Sequence, residues 1–129
     1  MAVTHSTAAR NAATDAVTAL IGASGKLAFR LSGTVSAPGT VVATLSLSAT
    51  AFGASATGTA TANAISADTN ATGNASPVAT ATLQTSAGTV VIHCAVAASA
   101  SDINMTNGLT VAAGDTVSCS SLTYTALSA

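Results

Sequence analysis

The chain has no tryptophan and no glutamate, and its aromatic residues are only Phe29, Phe52 and Tyr124. Charged residues make up 5% of its 129 positions, against roughly 25% in an ordinary globular protein. Each absence excludes something. With Arg10, Lys26 and Arg30 as the only fixed cations, neutralisation of successive phosphates is excluded, so no nucleic-acid partner is expected. No apolar run approaches the ~20 residues of a membrane span, and no charged segment followed by an apolar one marks a signal peptide at the N-terminus. No membrane partner is expected, and synthesis in a cytoplasm is. The carboxylates are Asp15, Asp68, Asp102 and Asp115. One falls on a helix and three in turns, where Asp serves local hydrogen bonding. No G-x-S-x-G elbow, dinucleotide fingerprint or P-loop occurs. The expectation is a protein that is not an enzyme and has no cofactor.

Ala, Thr and Ser together make up more than half the chain. Mean hydropathy is nonetheless positive, at +0.59, and the formal net charge is −1. Disorder normally needs low hydropathy and high net charge, so an ordered chain is expected. Near-neutral surfaces associate. A buried Ala contributes little beside the ~1.5–3 kcal/mol of a buried Leu or Val. A monomer of this composition is marginal, and a homo-oligomer or larger assembly is the expected state.

One domain over residues 1–129 is expected, with a helix at about 7–21 and a β domain at about 26–126. Thr7 to Ile21 is the only stretch of helical period. Ala9, Ala13, Ala16, Val17 and Leu20 recur on one side and read as its packing face. Arg10 and Asp15 then point away from that contact. Ser6 or Thr7 supplies the N-cap, and Gly22 the stop. Beyond Gly25 the period changes to two. Leu27, Phe29 and Leu31 alternate with Lys26, Ala28 and Arg30. Val41, Leu45 and Leu47 do the same after the Ala37-Pro38-Gly39 turn. The stretch from Ala54 to Ile65 reads as a strand whose small side chains lie close against another backbone. Val78 to Thr85 and Thr89 to Val96 flank a Ser86-Ala87-Gly88 hairpin, with Val90 and Ile92 inward. Asn107-Gly108 reads as a second hairpin tip. In the last strand Val117 and Tyr124 lie in different phases, which a bulge near Ser120-Ser121 reconciles. Six to eight short strands behind one helix make a mainly β fold, an antiparallel sandwich or jelly-roll-like domain.

His93, Cys94 and Cys119 are the only cluster of metal-ligand types. Adjacent strand residues point to opposite faces, so His93 and Cys94 do not reach one ion, and no metal site is expected. A Cys94–Cys119 disulfide would need Cα atoms about 5.5 Å apart, and a cytosolic origin argues against it. The runs Thr57-Gly-Thr59-Ala-Thr61 and Thr80-Ala-Thr82 are read as solvent-facing Thr on ordinary strands rather than an ice-matching ladder.

The N-terminal STAARNAATDAVTALIGASGKLAFRLSGT resembles the start of a family of small tailed-bacteriophage virion structural proteins. The family has a short helix with an Arg-Asn-Ala…Asp-Ala pattern, then a strand ending Ser-Gly-Thr. Those features are here Arg10-Asn11-Ala12, Asp15-Ala16 and Ser32-Gly33-Thr34. VVATLSLSATAFG, the TANAI stretch, the Ser-Ala-Gly hairpin and the closing AAGDTVSCSSLTYTA extend the likeness over nearly the whole chain. The aromatic-rich strand common before the hairpin is here VATATLQ. The resemblance implies a place in a virion. Joined to the neutral, self-associating β module read from the residues, it leads to a capsid decoration or cement protein on the outer shell, with the major capsid protein as partner. A tail or tail-tip component is the alternative, and a glycan-binding adhesin module a more distant one.

Overall fold

The structure is a computed structural model and describes residues 3–127. A helix, α1 (Thr7–Ile21), leads into seven strands: β1 (Lys26–Arg30), β2 (Val41–Ser46), β3 (Thr59–Thr61), β4 (Thr80–Gln84), β5 (Val90–Ala97), β6 (Ile103–Asn104) and β7 (Thr123–Thr125). The fold is mainly β behind one short helix, as expected. Five strands form one sheet in the order β2-β1-β4-β5-β6, and β3 pairs with β7 in a separate ribbon. Every ladder is antiparallel except β5 with β6, which is parallel.

The helix bounds follow the sequence signals. Ser6 is the N-cap, its Oγ accepting from the Ala9 N–H at 3.1 Å. Gly22 ends the helix at φ 71°, its N–H donating to the Ala19 carbonyl. Gly25 then lets the chain pass close under the helix. A Cβ there would lie 2.3 Å from Ile21 Cγ2 and 2.8 Å from the Gln84 carbonyl oxygen. The Ser86-Ala87-Gly88 hairpin is present, closed by Thr85 N–H to Thr89 C=O. The Asn107-Gly108 hairpin is not. The chain beyond it bonds sideways instead: the Val78 and Asn74 N–H groups donate to the carbonyls of Leu109 and Val111. Nor is the last strand one bulged strand. Val117 bridges Asp68, and the chain then crosses to pair with β3 through Thr123–Thr125.

The core lies on one face of the five-stranded sheet. Leu27 and Phe29 of β1, Leu45 of β2 and Leu83 of β4 meet Ile21 from the helix and Phe52, Ala60 and Val117 from the second layer. Of the expected core residues, Leu27, Phe29, Leu45, Leu47 and Val117 are buried, and Leu31, Ile92 and Tyr124 pack partly buried against them. Val41 and Val90 are corrections: both are only half-buried and outside this cluster. The reason is the same in both places. The β1–β2 ladder slips by one residue at Phe29/Arg30, making Val42 the extra residue. The β4–β5 ladder slips at Leu83/Gln84, making Val91 the extra one. A bulge breaks strict alternation. Val42 is therefore fully buried, and Val91 packs against the core.

Candidate functional site

The helix reverses the expected orientation. Its polar residues face the protein, and its small apolar ones face out. Thr14 is 0% exposed, while Leu20 is 66% exposed and Ala9 and Ala16 are exposed with it. Ala13 and Val17 lie half-buried on the flank. The expected packing face of Ala9, Ala13, Ala16, Val17 and Leu20 is thus overturned, and Arg10 and Asp15 point inward.

What the polar face meets is the tight turn before β3. The turn needs Thr57 and Gly58 at φ 49° and 86°, and the backbone around it leaves its own groups unpaired. Asn11 Oδ1 accepts from Gly58 N–H at 2.8 Å, and Thr14 Oγ1 donates to the Gly58 carbonyl. Asp15 Oδ1 accepts from Ser55 N–H at 2.9 Å, and Ser55 Oγ donates to the Asn11 carbonyl. An Arg10 Nη donates to the Thr57 carbonyl at 3.3 Å. Thr14 Oγ1 also accepts from the Ala126 N–H at 3.1 Å, tying the C-terminal segment into the same seat. The small residues Gly58 and Ala60 are buried under the helix, in keeping with the close approach expected for that stretch. Burying Ala offers little transfer energy, whereas leaving a turn's backbone groups dry costs about 1–3 kcal/mol each. The helix therefore turns toward the turn those side chains that can satisfy it.

The outer face of the sheet holds a second polar cluster. Arg30, expected to point to solvent, is 7% exposed. Its Nε donates to Thr82 Oγ1 at 3.1 Å, one Nη to the Gly39 carbonyl at 2.7 Å and the other to Gln84 Oε1 at 3.0 Å. Thr82 in turn donates to Gln84 Oε1. No carboxylate joins this cluster, and burial pushes the guanidinium below its ordinary pKa. His93 lies beside Thr82 on the same face, and its Nε2 is buried without a hydrogen-bond partner.

The other candidate residues are not brought together. Cys94 pairs with Ala81 on the core-side face, opposite to His93. Cys94 and Cys119 are both free thiols, so the disulfide is not formed. Burial, with Asp102 adding to it, pushes the Cys94 thiol up to about 11; burial also raises that of Cys119. Among the described residues no three His, Cys or Asp side chains cluster as metal ligands.

An open cleft of about 630 Å³ separates Phe29 from the segments around Asp102–Val111 and Asp115–Thr123. Its two carboxylates are already engaged: Asp102 accepts from Ala95 N–H and Asp115 from Ala112 N–H. Its Cys119 thiol donates to the Ser121 carbonyl. The cleft pairs no nucleophile with a base.

The missed residues are Asn11, Thr14 and Thr18, together with Ile21, at i, i+3, i+7 and i+10. A signal for them existed. The helix alanines share one arc of about 140° and mimic an apolar face, while Ile21, one of its largest apolar residues, lies in the polar stripe. Comparison with protein-family models, with curated proteins and with solved structures finds no match to this chain. No helix among the described residues is long and apolar enough to cross a membrane.

Proposed function

We propose that the chain is a non-catalytic structural protein of a tailed-bacteriophage virion, a capsid decoration or cement protein. Copies bind the outer face of the assembled shell and bridge neighbouring major capsid subunits. The resemblance of the helix-first sequence to small virion proteins supplies the setting. The observation that carries the reading is how the chain uses its charges. Six of its seven fixed charges, Arg10, Asp15, Arg30, Asp68, Asp102 and Asp115, bond uncharged groups of the same chain. Asp102 and Asp115 stay exposed, but with 5% charged residues the surface is mostly apolar or hydroxyl-bearing, including a helix face of Ala8, Ala12, Ala16 and Leu20 that carries no charge. Such a surface makes contacts that depend weakly on salt and recognises by shape, burial and hydrogen bonds.

In this role the protein adds buried area across capsomer seams and resists the pressure of packaged DNA. The test is composition of purified particles. Decoration requires this chain in copy numbers comparable to the major capsid protein, retained through high-salt washing. A few copies confined to the tail would replace decoration by the tail-component reading, and absence from particles would overturn both.

A further inference from the structure

The Asn107-Gly108 dipeptide, which does not form the expected hairpin, is left as a free tip. The chain is anchored on both sides of it. Met105 N–H donates to the Ala97 carbonyl at 2.9 Å, and the Leu109 carbonyl accepts from Val78 N–H at 2.9 Å. Between these anchors Thr106, Asn107 and Gly108 are exposed. The Asn107 side chain and the Gly108 N–H make no hydrogen bond among the described residues. Gly108 sits at φ 110°, and a Cβ built on it would meet nothing within 4 Å.

An asparagine amide is lost when the main-chain nitrogen of the next residue attacks the side-chain carbon. That step needs a side chain free to rotate, an uncommitted N–H, and little bulk on the next residue. The fold withholds at least one of these from each of the other five asparagines. Asn11 lies within α1, and its Oδ1 accepts from Gly58 N–H. Asn63 Nδ2 donates to the Thr50 carbonyl at 2.7 Å. Asn74 and Asn104 accept through Oδ1 from the Ser76 and Ser101 N–H groups. Asn70 is checked from the other side: the Ala71 N–H that would attack it donates to the Asp115 carbonyl at 3.0 Å, and Ala71 is buried. Asn107 is also the only asparagine followed by glycine, which has no Cβ to crowd the attack.

We propose that Asn107 is a self-modification site, at which the chain turns a neutral amide into a carboxylate with water as the only co-reactant. The Gly108 nitrogen bonds to Asn107 Cγ, and the Cγ–Nδ2 bond breaks. The proton of the Gly108 N–H passes through solvent to Nδ2, which leaves as ammonia. The product is a five-membered succinimide ring. Water then opens it at one of its two carbonyls. Opening of the Cγ–N bond gives aspartate on an unchanged main chain. Opening of the other C–N bond gives isoaspartate, with the main chain rerouted through Cγ and one atom longer. Either product adds a negative charge to a chain whose formal net charge is −1. Asn107 lines the 630 Å³ cleft together with Asp102 and Asp115, so the new group is a third carboxylate there. Contacts made across this face then gain a salt dependence that the unreacted chain lacks. This inference concerns the covalent chemistry of the chain and stands whether or not it belongs to a particle.

The experiment incubates the full chain at mildly alkaline pH, folded and in urea, with sampling by peptide mass spectrometry and ion exchange. Enzymatic methylation specific for isoaspartate counts the second product. Folded wild type is expected to gain one mass unit at Asn107 before any other asparagine changes, through an intermediate that has lost ammonia. Both aspartate and isoaspartate should form, faster as pH rises, because the attacking nitrogen must give up its proton. The rate in the folded chain is expected within about tenfold of that in urea, since a free tip needs no unfolding to react. Asn107→Gln, whose ring would need six members, is expected to keep its charge over the same period with native circular dichroism. Asn107→Asp should co-elute with the aspartate product of wild type. A folded chain that keeps Asn107 intact while the chain in urea reacts, another asparagine that reacts first, or a charge change that persists in Asn107→Gln would each overturn the inference.

Discussion

Replacing Thr14 by Val tests the inverted helix most directly. Val matches Thr in volume, so packing is conserved and only the hydroxyl is lost. That hydroxyl donates to the Gly58 carbonyl and accepts from the Ala126 N–H, and the side chain is wholly buried. Two hydrogen bonds at about 1 kcal/mol net each disappear, and a donor and an acceptor are left without partners in a site with little access to water. The expected loss is about 2–4 kcal/mol, a large part of the ~5–15 kcal/mol that holds a domain together. Thr14→Ser keeps both bonds and loses one methyl, for about 0.8 kcal/mol. Urea unfolding with unchanged slope measures both, and hydrogen exchange at Ala126 should lose protection only in the Val variant. Ala16→Leu, on the exposed side, is the internal control and should stay within about 0.5 kcal/mol of wild type. If Thr14→Val proves neutral while Ala16→Leu costs more than about 2 kcal/mol, the alanine face is the buried one and the reasoning fails.

The remaining predictions concern the rest of the fold. Gly25→Ala puts a methyl into Ile21 and the Gln84 carbonyl and should cost about 3 kcal/mol or more in urea unfolding, since overpacking against backbone has no easy relief. Arg30→Lys cannot reach Thr82, Gly39 and Gln84 together, because one ammonium replaces a planar fork; a loss of about 2–3 kcal/mol is expected in the same assay. The Cys94 thiol, raised to about 11, keeps its proton where the unfolded chain, with a thiol near ~8.5, releases it. Its contribution is therefore complete below about pH 8.5 and falls as pH rises toward 11, by up to about 1.4 kcal/mol per unit. Cys119 acts in the same direction. Denaturation midpoints across this range should flatten in Cys94→Ala, and native Cys94 should alkylate slowly at pH 8.

What could be read from the sequence, and what could not, divides along one physical line. Backbone signals were legible except at Asn107-Gly108, where the chain bonds sideways instead of turning back. Ser6 as cap, Gly22 as stop and Ser86-Ala87-Gly88 as hairpin describe local chemistry that tertiary structure left unchanged. The alternation of Leu27 and Phe29 gave the core side of β1, although Ala28 and Arg30 on its other side are buried as well. Burial direction failed where side chains are small or the ladder slips. Val41 and Val90 were displaced by bulges, which leave no mark in a Thr/Val/Ala alternation. The helix face failed for another reason: an apolar-stripe argument weighs transfer energy, and Ala supplies too little of it to outweigh six specific hydrogen bonds.

The same weakness of Ala explains why polar groups do so much of the positioning here. A chain with few large apolar side chains must fix its geometry by satisfying backbone groups, and its charged residues are distributed accordingly. Asp15 holds the turn at Ser55, Asp68 seals the β2 edge, and Asp102 and Asp115 close loops beside β5 and after Val111. Each carboxylate bonded to a backbone N–H fixes that group, although Asp102 and Asp115 stay exposed. Asp102→Asn tests what the carboxylate adds beside β5. It should lower the Cys94 thiol pKa by removing a nearby negative charge, while its amide oxygen keeps the Ala95 N–H bonded and the loss in urea unfolding stays within about 1 kcal/mol. Alkylation of Cys94 with the same pH dependence in Asp102→Asn as in wild type would show that burial alone raises the thiol and that the carboxylate serves only the backbone.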